Sequence, residues 1–147
     1  MKRPFSPEEF KEIYSRVPRL CVDLVIKAPE GIVLSLRNLP SWNGKWHIPG
    51  GTVLLGEKIT DTIKRVAQEE LSISVEIKKL LGYIEFPEEA KERGFGHSLS
   101  VAFLCSTDAT EFKPNEDSLK IEIFKELPPD LIEEQREFLE SVWLELD

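Results

Sequence analysis

Hydrophobic and polar residues alternate along the chain in stretches that predict both strands and helices. Val, Leu and Ile dominate residues 19–28, and Pro29-Glu30-Gly31 separates this predicted strand from a second one that ends near Arg37. At the amino end, Ser6-Pro7-Glu8-Glu9 is a capping-box sequence with proline at the first helical position, and it predicts a helix to about Arg16. Further strands are predicted over residues 75–86, 97–106 and 119–124.

The carboxyl end of the chain carries an amphipathic helical pattern. Leu127-Pro128-Pro129-Asp130 stops the preceding strand and is expected to cap this helix. Only Gln135 interrupts the apolar stripe, so we expect this face to lie in the core or in a dimer contact. The stripe comprises Leu131, Ile132, Phe138, Leu139, Val142 and Trp143. Together the elements predict an α/β (α+β) fold in which a mixed sheet lies between helices.

Composition favours one compact domain that spans residues 1–147. Hydrophobic residues make up 41% of the chain, and no apolar run approaches the roughly 20 residues needed to cross a bilayer. The amino end lacks the apolar stretch of a signal peptide, and Cys21 and Cys105 lie in apolar strands, which is typical of buried thiols in a reducing compartment. We therefore expect a cytoplasmic protein without membrane contact. A formal net charge of −8 argues against a polynucleotide partner, because clustered Lys and Arg bind phosphate backbones.

Residues 50–73 carry the candidate chemistry, as a glycine turn, a short strand, a loop and an acidic helix. The helix brings Glu69 and Glu70 together and the loop supplies Glu57, so several carboxylates are expected to gather where Mg²⁺ finds hard oxygen ligands. Arg65, four residues before Glu69, is placed to bind a carboxylate. Such a site suits diphosphates, because the metal offsets phosphate charge and stabilises a departing phosphate. The alternative is a solvated acidic helix with ordinary ion pairs.

The same segment resembles the Nudix box, whose pattern is Gly, five residues, Glu, seven residues, then Arg-Glu-U-x-Glu-Glu-x-Gly-U, where U is a bulky aliphatic residue. Residues 44–50 also resemble the family's lead-in, G-x-W-x-(aliphatic)-P-G-G. Val66 replaces the first Glu of the Arg-Glu pair, and Ser72 replaces the late Gly. The resemblance implies a Nudix fold and a MutT-like, magnesium-dependent hydrolase. The box spans about residues 51–73, and the positions in register are Gly51, Glu57, Arg65, Glu69, Glu70 and Ile73.

Within that family, the chain resembles the GDP-mannose mannosyl hydrolases most closely in pattern. The similarity runs from about Glu9 through the box and more loosely to about Phe124, and it includes Asp23 and Arg37. Those enzymes also lack the Glu at the position of Val66, whose loss should cripple attack of water on phosphorus. In that branch water attacks the anomeric carbon of the sugar, with inversion, so the nucleoside diphosphate leaves whole and one metal suffices.

The resemblance also implies roles for single residues. Gly50 would bind the metal through its backbone carbonyl, and Glu70 through its carboxylate. Asp117 stands where the branch has a ligating Gln, and Ser118 where it has the His that acts as general base. A serine hydroxyl cannot accept a proton near neutral pH as an imidazole can. Either Asp117 or Glu116 takes over, the loop is gapped differently, or this reaction is not performed.

Neutralisation of the leaving group would rest on Arg37. The branch has an arginine after the paired glycines, where this chain has Thr52, and a guanidinium suits diphosphate oxygens. The implied catalytic residues are Arg37, Glu57, Arg65, Glu70 and Asp117, and the implied metal ligands are Gly50, Glu69, Glu70 and Asp117.

Two aromatic or imidazole side chains are further candidates for substrate contact. Trp42 could stack on a base or pack as a lid. His97 follows the flexible Gly94-Phe95-Gly96 and could contact a nucleotide, replace the absent base or be a plain surface residue. His47 is expected to face solvent on an alternating strand. Residues 87–96 are expected to form a polar loop that determines specificity.

We interpret the chain as a Mg²⁺-dependent hydrolase, with Mn²⁺ as the alternative metal. Its substrate would be a nucleoside diphosphate linked to a small moiety such as a sugar, as in GDP-mannose. One alternative is a pyrophosphatase that attacks phosphorus, with Glu69 or a loop carboxylate in place of the missing Glu. Another is a degenerate Nudix module that binds a nucleotide without hydrolysis, motivated by Val66, Ser72 and Ser118. A homodimer through the first strand or terminal helix is suggested by analogy alone.

Overall fold

The computed structural model describes residues 4–147, and its strands form one seven-stranded mixed sheet. The strands are β1 (Arg19–Ala28), β2 (Gly31–Arg37), β3 (Trp46–His47), β4 (Gly50–Thr52), β5 (Glu76–Glu85), β6 (Ser98–Ser106) and β7 (Ser118–Phe124). The path across the sheet is β3-β2-β1-β6-β5, and in addition β4 pairs with β1 and β7 pairs with β2. β1 and β6 are parallel, whereas the other strand pairs are antiparallel.

Helices lie on both faces of this sheet, which confirms the predicted α+β architecture. They are α1 (Pro7–Tyr14), α2 (Ile59–Val66), α3 (Glu89–Arg93) and α4 (Glu133–Val142); a π-helical turn (Ala67–Leu71) continues α2 and a 3₁₀ turn (Trp143–Glu145) follows α4. Within residues 4–147, no helix is long and apolar enough to cross a membrane.

β1 separates two apolar clusters, because its successive side chains point to opposite faces of the sheet. Val22, Leu24 and Ile26 pack with the α2 side of the molecule, whereas Val25 packs with the α4 side. Burial on both faces explains why β1 reads as a nearly continuous apolar run. The packing of β1 side chains on the α2 side holds α2, the box helix, against the centre of the sheet.

The starts of α1 and α4 are determined differently. Local sequence determines the start of α1, whereas contacts with a distant strand determine the start of α4. The capping box of α1 is present as predicted, with the hydroxyl of Ser6 and the carboxylate of Glu9 each bonded to the other's backbone N–H. The predicted cap of α4 at Asp130 is wrong, because α4 begins at Glu133. Residues 130–132 instead pair with Trp46 of β3, whose backbone N donates to the carbonyl of Asp130 at 2.8 Å.

The segment 87–96 is not simply a loop, because it contains α3. Glu89, at the start of α3, is 2% exposed and anchors this single turn in the interior. Gly94 ends the turn with a φ of 89°, a left-handed conformation that favours glycine. The prediction of an irregular polar loop is therefore corrected here.

Candidate active site

Arg65 connects the loop before the box helix to the helix itself. Its Nε donates to Glu57 Oε2 at 2.8 Å and its Nη2 to Glu57 Oε1 at 3.0 Å, so the ion pair is bidentate. Nη2 also donates to the carbonyl of Thr52 at 2.8 Å, and Nη1 donates to Glu69 Oε2 at 3.1 Å. Hydrogen bonds from Arg65, followed by that from Thr62, hold the pKa of Glu57 near 2, although desolvation opposes them. The predicted contact of Arg65 with a carboxylate is thus present with both Glu57 and Glu69.

Glu69 and Glu70 lie in the π-helical turn that ends the box helix. Such wide turns recur at functional sites, because they redirect the side chains they carry. The turn ends at Ser72, whose φ of 57° and ψ of 41° are left-handed. This conformation accounts for the glycine in the box pattern, since glycine adopts it without steric cost.

The expected cluster of Glu57, Glu69 and Glu70 is not formed. Among the residues that the structure describes, no group of three or more His, Cys, Asp or Glu side chains is arranged to bind a metal ion. Glu57 accepts hydrogen bonds from the backbone N of Leu54 at 3.1 Å and the hydroxyl of Thr62 at 2.7 Å, in addition to those from Arg65. These bonds hold Glu57 in the loop before the box helix, where Arg65 connects it to Glu69.

The loop of residues 113–118 reaches the end of the box helix. Asn115 Nδ2 donates to the carbonyl of Glu69 at 3.3 Å, and the backbone N of Lys113 donates to that of Leu71 at 3.0 Å. The backbone N of Asn38 donates to the carbonyl of Asp117 at 2.9 Å. These contacts connect the loop that carries Asp117 to both the box helix and the end of β2.

Arg37 is buried at the end of β2, with 9% of its surface exposed. Its Nε donates to the carbonyl of Ser41 at 2.9 Å and its Nη2 to the Ser41 hydroxyl at 2.8 Å. Burial, followed by the charges of Arg93 and Arg19, lowers the pKa of Arg37 to about 10, although the charges of Asp117 and Glu70 oppose this shift. Arg37 therefore remains charged at neutral pH and shares one electrostatic environment with Glu70 and Asp117.

The glycine pair lies against the first strand and the box helix. Gly50 pairs with Asp23 of β1, and a Cβ at this glycine would lie 2.4 Å from Asp23 Oδ1. A Cβ at Gly51 would lie 3.0 Å from Val66 Cγ2. Val66 itself is 2% exposed in the apolar cluster beneath the glycines. The residue that replaces the box Glu is thus part of the core.

Trp42 lies next to Arg37 in a strained conformation. Its φ of 49° is left-handed, which is unusual for a bulky residue. The guanidinium carbon of Arg37 lies 5.9 Å from the Trp42 ring, and the ring of Phe86 packs edge-on at 6.2 Å. The backbone N of Trp42 also donates to Glu92 of α3 at 3.4 Å. Strain of this kind concentrates at binding sites.

The two histidines have different surroundings. His47 is partly buried opposite Ser35, so the prediction that it faces solvent is wrong. Burial, followed by repulsion from Arg37, lowers the pKa of His47 to about 3, and the ring is neutral at pH 7. His97 is exposed immediately before β6, where its carbonyl accepts a hydrogen bond from the backbone N of Arg19 at 2.8 Å.

Two residues without an assigned role support the glycine turn. Asp23 is 5% exposed, and burial raises the pKa of its carboxyl to about 7 despite hydrogen bonds from Ser100 and Gln135. Gln135 of α4 also accepts a hydrogen bond from the backbone N of Ile48 at 2.8 Å, two residues before Gly50. A single polar residue within an apolar strand or stripe is the sequence signal that could have identified both.

Comparison with known proteins agrees with this geometry. The NUDIX domain family matches residues 17–142. The low-salt glycan biosynthesis protein Agl8 of Haloferax volcanii is 34% identical over 125 residues, which cover 83% of this chain and 79% of that protein. An ADP-ribose pyrophosphatase of Methanocaldococcus jannaschii is 29% identical over 107 residues, which cover 73% of this chain and 62% of that protein.

Solved structures show the same fold. The crystal structure of a MutT protein from Methanosarcina mazei has a TM-score of 0.75 at 20% identity and covers 87% of this chain and 95% of that chain. The family match extends across both the sheet and the Arg65-centred box. The chain therefore belongs to the Nudix hydrolase family.

Proposed function

We propose that this hydrolase uses Mg²⁺, or Mn²⁺ in its place, to cleave a nucleoside diphosphate linked to a small moiety. A nucleoside diphosphate sugar such as GDP-mannose is the substrate that we favour. The observation that carries the proposal is the shared environment of Arg37, Glu70 and Asp117. A buried arginine on whose charge two carboxylates act offers a cation for diphosphate oxygens, and the carboxylates offer oxygen ligands for a metal.

The oxygen donors of the candidate site suit Mg²⁺ by type, although the described residues do not gather three carboxylates into a metal cluster. The carbonyl of Gly50 and the carboxylates of Glu70 and Asp117 are hard oxygen ligands, and Glu69 is a further candidate. When bound, the metal would offset charge on the diphosphate and stabilise it as a leaving group. Arg65 would act as a positioning residue, because it fixes Glu69 and the turn that carries Glu70.

Val66 favours attack on carbon over attack on phosphorus. Its buried position leaves no carboxylate where the ordinary Nudix box has one. Ser118 is 8% exposed and carries only a hydroxyl, so Asp117 or Glu116 would accept the proton from water. A sugar-linked substrate is also favoured by the 34% identical relative, which is named a glycan biosynthesis protein.

A second candidate function is pyrophosphatase attack on phosphorus. It is favoured by the 29% identical relative, which is named an ADP-ribose pyrophosphatase. Glu69 or a carboxylate of the late loop would then replace the missing Glu. In either reaction, Trp42 and His97 would contact the substrate at the mouth of the site.

Hydrolysis in ¹⁸O-labelled water tests both reactions. The protein would be incubated with Mg²⁺ and either a panel of nucleoside diphosphate sugars or ADP-ribose, and the label would be located in the products. Label in the free sugar supports carbon attack, whereas label in phosphate supports the pyrophosphatase. Glu70→Gln is expected to abolish Mg²⁺-dependent turnover, and the exposed β5 variant Glu76→Gln is the matched control. Undiminished turnover by Glu70→Gln would overturn the proposed site.

A further inference from the structure

Asn115 joins the two segments that carry the candidate carboxylates, the π-helical turn and the loop of residues 113–118, which we call the late loop. Its Nδ2 donates to the backbone carbonyl of Glu69 at 3.3 Å, and its Oδ1 accepts from the backbone N of Asp117 at 2.9 Å. Its own backbone carbonyl accepts from the backbone N of Ser118 at 3.2 Å. One amide side chain therefore bridges the turn and the late loop.

The turn requires donors from outside, because the last carbonyls of a helix have no partner within it. The late loop supplies two of them. Asn115 Nδ2 donates to Glu69, and the backbone N of Lys113 donates to the carbonyl of Leu71 at 3.0 Å. The second bond involves backbone atoms only, so it remains when the side chain of Asn115 is changed. A substitution at Asn115 should therefore shift the late loop without detaching it.

The end of the box helix carries negative charge that favours a bound cation. Glu69 and Glu70 lie in the last turn, where the helix dipole stabilises cations rather than anions. Arg65 pairs with Glu69 at 3.1 Å. In the proposed function, a divalent cation compensates Glu70 together with Asp117 of the late loop. The two carboxylates can share one cation only if the late loop lies at a suitable distance from the turn.

Backbone contacts, rather than a cluster of carboxylates, determine this distance. In the part of the chain that the structure describes, no three His, Cys, Asp or Glu side chains are arranged to bind a metal. On one side, the backbone N of Asn38 donates to the carbonyl of Asp117 at 2.9 Å, and Asn38 Nδ2 donates to that of Glu116 at 3.1 Å. Asn38 thus holds the late loop to the end of β2, and Asn115 holds it to the turn that carries Glu70.

We propose that Asn115 is a positioning residue that sets the distance between Glu70 and Asp117, and thereby the affinity of the site for its divalent cation. The role needs an amide, because one end donates to Glu69 while the other accepts from Asp117. The hydroxyl of a serine can accept from the backbone N two residues further on, but its side chain is too short to bridge to the helix as well. This inference rests on the proposed function for the identity of the metal ligands.

Mn²⁺ binding in the absence of substrate tests this role apart from turnover. Free Mn²⁺ would be measured by electron paramagnetic resonance while the parent and Asn115→Ser are titrated. Asn115→Ser keeps an acceptor for Asp117 and loses the donor to Glu69, so we expect Mn²⁺ to bind about tenfold more weakly. Asn43→Ser is the matched control, because Asn43 Nδ2 donates to the carbonyl of Leu39 at 2.9 Å within its own loop. Its affinity should stay within about twofold of the parent.

A double variant shows whether Asn115 acts through Asp117. In that case Asp117→Asn alone and Asp117→Asn combined with Asn115→Ser should bind Mn²⁺ with about equal affinity, because the shared contribution is already lost. Losses that multiply in the double variant would overturn the role. So would an affinity of Asn115→Ser within about twofold of the parent, or an equal loss in Asn43→Ser.

A further variant keeps the test independent of the fold of Asn115→Ser. Asn115→Gln retains the amide but lengthens the side chain, so it cannot make both bonds at their present positions, and it should weaken Mn²⁺ binding at least about threefold. Parent-like affinity of Asn115→Gln would also overturn the role. Failure of the proposed function is visible separately, because Glu70→Gln or Asp117→Asn would then bind Mn²⁺ as the parent does.

Discussion

Arg65 and Glu57 form a bidentate ion pair, with Nε to Oε2 at 2.8 Å and Nη2 to Oε1 at 3.0 Å. Glu57 accepts two further hydrogen bonds, from Leu54 and Thr62, whereas Glu69 receives one side-chain bond from Arg65. We expect Glu57→Gln to lower the free energy of unfolding by about 1–3 kcal/mol, and the matched variant Glu69→Gln by less than about 1 kcal/mol. Urea unfolding at pH 7 measures both costs.

The pH dependence of the Glu57 variant provides an internal control. Its folded pKa of about 2 lies below the ordinary value of 4.5, so the stabilisation is present above pH 4.5 and is lost as the pH falls towards 2. The cost of Glu57→Gln should therefore be smaller at pH 3 than at pH 7. Equal costs for the Glu57 and Glu69 variants would contradict the central role of this ion pair.

Asp23 should give the opposite pH dependence. Burial raises its pKa from 3.8 to about 7, so between these pH values the folded protein retains a proton that the unfolded chain has lost. The contribution of Asp23 to stability therefore falls as the pH rises from about 4 to 7, at about 1.4 kcal/mol per unit of pKa difference. Asp23→Asn removes this dependence of stability on pH. The stability of the Asp23→Asn variant relative to the parent should therefore be higher at pH 8 than at pH 5.

The exposed variant Asp61→Asn is the control for the loss of a carboxyl group in general. Its effect on the free energy of unfolding should be small at both pH values, because surface substitutions rarely exceed about 0.5 kcal/mol. An Asp23→Asn effect that does not change between pH 5 and pH 8 would show that the buried carboxyl titrates normally.

Ser72→Gly should stabilise the protein. A left-handed φ costs an ordinary residue about 1–2 kcal/mol, whereas glycine loses more chain entropy on folding by about 0.5–1 kcal/mol. The balance predicts a gain of about 0.5–1 kcal/mol in the free energy of unfolding. Ser74→Gly is the matched control, because Ser74 is exposed and lacks a positive φ, and it should lose stability. A loss from both variants would contradict the strain at Ser72.

Features encoded by local sequence were predictable. β1 occupies the predicted residues 19–28, because its apolar run is long and is bounded by proline on each side. Arg65 contacts Glu69 as the spacing of four residues predicts, because residues four apart lie on the same helical face. The capping box of α1 likewise involves only residues within one turn.

Features that depend on distant neighbours were not predictable. α3 forms around Glu89, whose burial depends on Ser98 and Arg19 from other strands. His47 is partly buried because β3 pairs with β2, which no local pattern indicates. Gln135 interrupts the stripe of α4 because it bonds to the backbone of Ile48, far away in the sequence. A polar residue within an apolar pattern therefore indicates a hydrogen bond to a distant part of the fold, but the local pattern does not identify its partner.

Val66→Glu restores the family residue in sequence, but it should not restore its chemistry. Val66 lies in the apolar cluster against Gly51, so a carboxylate there would be buried without a partner. Val66→Met is the matched control for size, and we expect it to cost about 1 kcal/mol, with Val66→Glu costing at least about 2 kcal/mol more. Urea unfolding measures these costs, and ¹⁸O labelling would show whether attack on phosphorus appears. A different result would contradict this expectation: a stable Val66→Glu protein that places the label in phosphate. In that case the introduced carboxylate would reach the metal site, and Val66 would lie in the core only because its own side chain is apolar.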